Sequence, residues 1–450
     1  MRVPIGVFGD ALFGIYFLIV GIAASRSLAY AEVPLLLVIY LCIRLWTFRD
    51  SPEMALLLIY AVSFPAMWLA SRALDVQIHY LAWNVELHHF TIAFAVQGLF
   101  MSALFIALGG RIPCTIAQFG RQDDPVIYWA SILGIILTMV VAVRETAETS
   151  ILRQAYNFET SASSVLFEYV LILIIVAYAY SGDSRQHKWI LIGASLIAIV
   201  APMLVGRRLP GVMVGLALLL LYWRPKGLFR VLGITSVAFV ALSVIGLLRV
   251  GQSGTSLGQM IFNIDSGIMR NNQGGGDYVA AVYIKLVEIG VFDSDFARRS
   301  MLNVVKSIFL PSRMVDESAY INLVATQYIP IPGNGGFPGV HLFVWAGLSG
   351  VIVGGLFLGR IMVKSATSQL ASVYVTLVFL TFPRWMAYNV NILVKMGILL
   401  IIGWVIIRTV NRVAARTNAG SVGVRPDTMQ SDDAHAGSAG RLSSTSAIEE

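Results

Sequence analysis

Two adjacent arginines, Arg207 and Arg208, interrupt an apolar stretch in the segment LVGRRLPGVM. Neither has an acidic neighbour in the sequence that could neutralise its charge. A guanidinium group presents a planar fork of donors that matches the oxygens of a phosphate group. The pair therefore predicts a site for a phosphate-bearing ligand, and for each arginine alone the alternative is contact with lipid headgroups or a nearby acid.

Three further cations are placed to join this site. Arg249 closes one apolar segment, Arg384 stands in FPRWMAYN between the last two, and Lys395 lies inside the last one. An ionisable group within an apolar segment is costly and needs a partner. We expect these cations to bind the same ligand, and for Lys395 the alternative is a salt bridge to one of three acids: Asp10, Glu32 or Glu168.

Candidates for acid–base chemistry lie in and after a long polar segment. His341 follows GNGGFPGV at the start of an apolar stretch, where a histidine could act as general base for an acceptor hydroxyl. An equally weighted alternative is a histidine that is only hydrogen-bonded at the membrane interface. In RMVDESAYINL, Glu317 is a weaker acid–base candidate, and Arg313 is a further ligand-binding candidate.

The segment VELHHF, together with His79, raises the question of a metal site. Adjacent histidines point in different directions on a helix, and no second pair of ligands is evident. We therefore predict that His88 and His89 are solvent-exposed at the membrane interface and are not metal ligands. We predict no metal and no cofactor. Nothing resembles a nucleotide-binding loop, because the glycines after His341 have the spacing of close helix packing.

The composition indicates the elements that must hold these residues. The 450 residues are 57% hydrophobic and 13% charged, with a mean hydropathy of +0.76 and a net charge of +7. Soluble domains carry about 25% charged residues, so the chain is predicted to be a membrane protein with many spans. Its positive charge then indicates orientation and not nucleic-acid binding. Two cysteines, Cys42 and Cys114, have neither disulfide nor metal spacing.

About twelve transmembrane helices are predicted, because a bilayer needs roughly 17–25 apolar residues per helix. The eighth and eleventh are the shortest. The predicted spans are Val7–Ser25, Leu28–Trp46, Met54–Ser71, Phe90–Leu108, Pro125–Val143, Val165–Ser181, Trp189–Val205, Leu209–Trp223, Phe229–Leu248, Gly339–Gly359, Leu370–Phe382 and Val390–Ile407.

The distribution of Lys and Arg predicts that both termini are cytoplasmic, because the loops on the same side of the membrane as the N-terminus carry more of these residues than the opposite loops. Nine spans would occupy residues 1–248 and three would occupy 339–410. Residues 249–338 would form one large external loop with short interfacial or substrate-covering helices at Tyr278–Gly290 and Phe296–Leu310. The Ser- and Gly-rich tail, 411–450, is predicted to be disordered.

This arrangement resembles the bacterial O-antigen polymerases, the Wzy-like family of oligosaccharide repeat-unit polymerases. The resemblance rests on a dozen spans, GRR at an outer span edge, and a large late loop that ends in NGGFPGVHLFVWAGLSGVIVGGLFLG. The resemblance covers residues 165–407 and is a likeness of overall pattern. Where many members have an acid at the end of this loop, this chain has His341.

The resemblance implies an all-α, GT-C-like glycosyltransferase in the bacterial inner membrane. It would transfer glycan from an undecaprenyl-pyrophosphate donor to a lipid-linked acceptor at the periplasmic face, in O-antigen, capsule or exopolysaccharide synthesis. Arg207, Arg208 and Arg249 would bind the pyrophosphate. The implied partners are this lipid-linked glycan, membrane lipid, and the chain-length regulator and flippase of the same pathway, with no nucleic acid. The family of O-antigen ligases shares the layout and is one alternative; a lipid-linked oligosaccharide flippase or another multi-span transporter is an alternative of a different class.

Overall fold

The computed structural model describes most of the chain as helices joined by short connections. The described residues are 5–24, 31–78, 85–118, 121–147, 161–204, 208–250, 264–265, 268–269, 272–309, 315–328, 335–388 and 390–421. The first nine helices are α1 (Ile5–Ala24), α2 (Val33–Thr47), α3 (Pro52–Ala73), α4 (Leu87–Leu108), α5 (Pro125–Ala147), α6 (Ser161–Ala179), α7 (Arg185–Leu204), α8 (Arg208–Leu218, continued by a π turn at Leu219–Trp223) and α9 (Leu228–Val250).

The second part of the chain has shorter elements before it returns to long helices. These are α10 (Asn272–Glu288), α11 (Ser294–Phe309), α12 (Ile321–Tyr328), α13 (Pro338–Lys364), α14 (Gln369–Leu380), α15 (Phe382–Trp385) and α16 (Asn391–Ser421). Three two-residue strands accompany them: β1 (Gln77–Ile78), β2 (Ile264–Asp265) and β3 (Ile268–Met269). Strand β3 lies in the middle and pairs parallel with β1 and antiparallel with β2.

Among the described residues, six helices are by length and composition apolar enough to cross a membrane: α1, α3, α4, α5, α7 and α13, the last of which contains a break. The chain is therefore helical and compatible with a membrane protein of several spans. The other six predicted spans coincide with helices α2, α6, α8, α9, α14 and α16, whose described apolar portions are 10–17 residues long. The total of twelve spans stays a prediction.

Helix α4 is at the centre of the first compact unit, Met1–Ile401. Nearly all of its residues are buried, and it packs against α1, α2, α10 and α13. The contact with α13 is close because both helices lack bulk there. A Cβ on Gly355 would overlap with the Phe100 carbonyl oxygen, and a Cβ on Gly359 would overlap with the Leu104 carbonyl oxygen. The predicted role in helix packing is thus confirmed for Gly355 and Gly359, but not for Gly347, which has nothing within 4 Å of its Cβ position.

Helix α13 is not continuous. Ala346 and Gly347 leave the helical conformation, with Gly347 at φ 61° and ψ −157°, a region essentially restricted to glycine. A Cβ on Gly354 would lie 2.6 Å from a methyl group of Leu342, and one on Gly350 would lie 2.7 Å from the Leu342 carbonyl oxygen. Residues twelve positions apart on a straight helix could not meet in this way. The first turns of α13 therefore fold back on its second part as a hairpin.

The helices predicted inside the long loop take two different positions. Helix α10 is buried from Tyr278 to Ile284 and packs between α3, α4 and α13, so it is part of the helical core and not a surface helix. Helix α11 keeps an exposed apolar face, with Leu302 and Phe309 more than half exposed, beside an exposed Arg298. Only α11 has the character of the predicted interfacial helix.

The second compact unit, Ile402–Glu450, continues helix α16 through Ser421. The helix thus extends past Asn411, where the disordered tail is predicted to begin. The rest of that tail, 422–450, lies outside the described residues.

Replacing Gly359 by alanine should destabilise the protein by about 1–3 kcal/mol, because the new methyl group has only backbone and the Ala107 side chain to displace. Thermal unfolding of the purified protein in detergent measures this. Gly193→Ala in α7 is the matched control, since nothing lies within 4 Å of its Cβ position. Equal unfolding temperatures for the two variants would contradict the close α4–α13 contact.

Candidate functional site

Two helices begin in the middle of the helical core. The backbone N–H of Gly339, in the first turn of α13, donates to the Gln97 side-chain oxygen at 3.2 Å, and Gln97 lies at the midpoint of α4. Phe337, just before that turn, packs edge-on against Phe64 at the midpoint of α3, with ring centres 5.4 Å apart. The start of α13 is therefore as deep in the protein as the centres of α3 and α4.

The start of α10 and a break between α15 and α16 meet at the same depth. A Cβ on Gly276 would lie 2.9 Å from the Phe64 ring, so α10 can approach α3 this closely only because residue 276 is glycine. The carbonyl oxygen of Ala387, in the turn after α15, lies 3.9 Å from that Cβ position and 3.2 Å from the one on Gly335. Three interruptions of helical structure therefore converge beside the middle of α3.

His341 lies in this region as a buried neutral base. Its Nδ1 donates to the Phe337 carbonyl oxygen at 3.1 Å, and because a carbonyl can only accept, Nδ1 carries the hydrogen. Its Nε2 is then an acceptor, and it has no hydrogen-bond partner among the described residues. The ring is 1% exposed and lies edge-on to Tyr283, whose hydroxyl donates to Asn322 at 2.5 Å. The predicted general base thus has the right protonation state, but lies inside the protein and not at an open mouth.

Asp277, in the first turns of α10, is 0% exposed. Neither carboxylate oxygen has a hydrogen-bond partner among the residues that the structure describes. Burial raises the pKa of this carboxyl well above its ordinary value. The sequence places Asp277 among the acids of a polar loop, but the apolar helical run YVAAVYIKLV that follows it is the signal of a buried helix.

Arg384 and Lys395 share one buried acid, Glu168 of α6. The Arg384 Nε lies 3.1 Å from a Glu168 carboxylate oxygen, and the guanidinium stacks over the Tyr388 ring at 5.4 Å. Lys395 is near enough to both Glu168 and Arg384 to interact with them electrostatically. These contacts support the acid-pairing alternative for both cations, with one positive charge in excess over the single carboxylate.

The other two acids considered as partners for Lys395 differ in their surroundings. Asp10 is buried in an ion pair with Arg44 and accepts a hydrogen bond from the Tyr40 hydroxyl at 2.8 Å. Glu32 is exposed just before α2. The structure therefore favours Glu168 as the acid nearest to Lys395.

His88 and His89 are buried at the start of α4 and not wet, so that prediction is wrong. They meet Glu288 at the end of α10, with His89 Nε2 2.6 Å and His88 Nε2 3.3 Å from one carboxylate oxygen. These three side chains could hold a metal ion by distance alone. His79 lies outside the described residues.

The hydrogen bonds of His89 argue against metal coordination in this arrangement. Its Nδ1 accepts the backbone N–H of Glu86 at 3.0 Å, so its Nε2 must carry the hydrogen and donate it to Glu288. A metal at Nε2 would move that hydrogen to Nδ1 and break the helix cap. Burial opposes ionisation of Glu288, but hydrogen bonds from the two histidines outweigh it and lower the pKa of Glu288 below its ordinary value.

The remaining predicted site residues are only partly described. Arg207 and Arg313 lie outside the described residues. For Arg208, Arg249 and Glu317 the structure gives the backbone alone: the first residue of α8, the last turn of α9, and a short 3₁₀ turn at Glu317–Ala319. Whether these arginines form one cluster with each other stays a prediction.

Comparisons with protein-family models, curated proteins and solved structures return no significant match for this chain.

Glu288→Gln should destabilise the protein by about 1 kcal/mol at neutral pH, because it replaces a charged acceptor that is half exposed. A carboxyl with a lowered pKa stabilises the fold above its unfolded pKa and loses that effect as the pH falls through the folded value. The difference in unfolding temperature from wild type should therefore shrink below about pH 4. Asp295→Asn, in an exposed pair with Arg298, is the control and should change little at either pH. A pH-independent difference for Glu288→Gln would refute the ionised pairing.

A double-mutant cycle on Glu168→Gln and Arg384→Gln should give a coupling energy of about 1–3 kcal/mol, because each single change leaves a largely buried charge without its partner. The same cycle on the exposed pair Asp295 and Arg298 should give less than about 0.5 kcal/mol. Chemical unfolding in mixed micelles measures both. Coupling of similar size in the two cycles would mean that the Glu168 pair contributes no more than a surface contact.

Proposed function

We propose that this protein is a polysaccharide repeat-unit polymerase that transfers glycan from a polyprenyl-pyrophosphate donor to a lipid-linked acceptor at the outer face of the membrane. The observation that carries the proposal is the position of His341. The segment between α9 and α13 brings its unprotonated Nε2 into the core at the meeting point of α10 and α13. A neutral imidazole with a free acceptor nitrogen is what the removal of a proton from a sugar hydroxyl requires.

Donor binding is assigned in this proposal to the arginines. If each of the helices α1 to α9 crosses the membrane once, the start of α8 and the end of α9 lie on the same side as the start of α4, and the proposal assigns Arg207, Arg208 and Arg249 to that face. Guanidinium groups there would neutralise the charge that develops on the leaving pyrophosphate. The residual positive charge of Arg384 and Lys395 over Glu168 adds to the attraction for an anion.

Because His341 is buried, substrate access requires a local opening. Helix α10, the first turns of α13 and the turn at Ala387 are the elements that would part, since all three begin or end at this depth and meet through glycines. The proposal therefore implies that the acceptor glycan enters between α10 and α13, and that closure afterwards excludes water from the reaction.

The test uses the full chain in vesicles with lipid-linked repeat units, and follows lengthening of the lipid-linked glycan on gels. Arg207→Ala and Arg208→Ala should abolish lengthening, and Arg230→Ala, an exposed arginine near the opposite end of α9, should leave it unchanged. His341→Asn, which retains a side-chain donor for the Phe337 carbonyl, should bind donor but lose at least about a hundredfold in rate. Normal lengthening in both arginine variants would refute the donor site, and normal lengthening in His341→Asn would remove His341 from catalysis.

One observation favours a transporter as a second candidate. Helices that begin at mid-depth, beside ionisable groups, are typical of secondary transporters. The same vesicles separate the two functions: a flippase would move the lipid-linked glycan between leaflets with no change in its length, whereas the polymerase would change its length. Transfer to a lipid A core acceptor, in place of a second lipid-linked glycan, would indicate the ligase alternative.

A further inference from the structure

Asp277 is a buried acid that has no role in the proposed transfer reaction. Other buried acids have partners: Asp10 has Arg44, Glu53 has Arg224, and Glu168 has Arg384. Asp277 has neither a hydrogen bond nor an ion pair in the described part of the chain, and its exposure is 0%. Something other than a described side chain must therefore compensate its charge.

The direction of Asp277 follows from helix geometry. It precedes Glu288 by close to three full turns of α10, so both lie on the same face of the helix. Glu288 is the residue that contacts His88 and His89 at the start of α4. The Asp277 side chain thus belongs to the stripe that faces α4, with Ala281 and Ile284 between the two acids. Along this length α4 presents FTIAFAVQGL, in which Thr91 and Gln97 are polar, but neither of them hydrogen-bonds to Asp277.

Titratable groups lie on the helices that pack against α10 and on α10 itself. None of them, within the described residues, bonds to or pairs with Asp277. On α3 they are Glu53, Tyr60 and Arg72; on α4, His88 and His89; on α12, Tyr328; on α13, His341, Arg360 and Lys364; on α10 itself, Tyr278, Tyr283, Lys285 and Glu288; strand β1 has none.

An ionised carboxylate in such a place would lose its hydration with no replacement, a cost that proteins avoid by protonating the group. A metal cation would need several ligands, and among the described residues Asp277 belongs to no cluster of His, Cys, Asp or Glu side chains close enough to hold one. A proton needs only the carboxyl itself. Among the described residues, a proton is therefore the compensating positive charge that this environment fits.

We propose that Asp277 is a proton-binding site: its carboxyl group holds a proton while α10 is packed in the core, and releases it to water when α10 or the start of α13 moves away. The site lies beside the glycines at which three helix interruptions meet, so the movement that opens the core also exposes Asp277. The inference is independent of the proposed glycan transfer, and applies to either candidate function. It makes the opening of the core a proton-linked step.

Infrared difference spectroscopy tests the site on the full chain in vesicles of phosphatidylethanolamine and phosphatidylglycerol. A protonated carboxyl has a carbonyl stretch above the amide band, whereas an ionised one has two carboxylate bands at lower frequency. The wild type minus Asp277→Asn spectrum should contain the carbonyl stretch at neutral pH. Glu288→Gln, on the same face of α10, is the matched control and should remove carboxylate bands instead, because Glu288 is ionised.

The outcomes decide between three states of the group. Carboxylate bands for Asp277 at neutral pH without sodium would overturn the proposal. Carboxylate bands that appear only on addition of sodium would replace the proton with a metal cation and overturn it as well. A carbonyl stretch that persists unchanged up to about pH 9 would identify a permanently neutral structural acid, with no release of its proton. If Asp277→Asn does not fold, Asp277→Glu takes its place in the test. The frequency of the carbonyl stretch should then shift if residue 277 is protonated in the wild type.

Discussion

The close approach of α13 to α4 is the contact on which the arrangement of the core depends. Glycine at 355 and 359 lets the two backbones meet, and Gln97 of α4 accepts the first free N–H of α13. Because α13 turns back at Gly347, its first turns are held between α4 and its own second part. The beginning of a helix is thereby fixed deep in an apolar core, where an unsatisfied N–H would be costly.

This anchoring explains why the ionisable groups of the core differ so much in their surroundings. Arg384 and Lys395 lie on the two sides of a helix break and share Glu168, which leaves one positive charge in excess. His341 stays neutral because it is buried, and the Phe337 carbonyl fixes the hydrogen of that neutral ring on Nδ1. Asp277 comes from α10, and neither of its carboxylate oxygens has a hydrogen-bond partner among the described residues.

The sequence predicts the long helices well and the re-entrant ones poorly, for a physical reason. A run of apolar residues such as that of α4 or α5 is sufficient to predict a helix whose observed bounds differ by a few residues. For α10 the sequence predicts a helix at Tyr278–Gly290 but assigns it to the surface of a long loop, because Asp277 and Lys285 follow three glycines; its packing shows that it is buried. The Glu168–Arg384 pair and the union of His89 with Glu288 join residues far apart in the chain, so no local pattern contains them.

The small sheet has a mechanical consequence for the core. Strand β1 belongs to the connection between α3 and α4, and β3, which precedes α10, pairs with it. At its other end α10 is tied to the first turn of α4 through Glu288. A displacement of α10 would thus strain two contacts, the β1–β3 pairing at one end and the His89–Glu288 contact at the other. The helix can move outward only if β1 and the start of α4 move with it or if these contacts break.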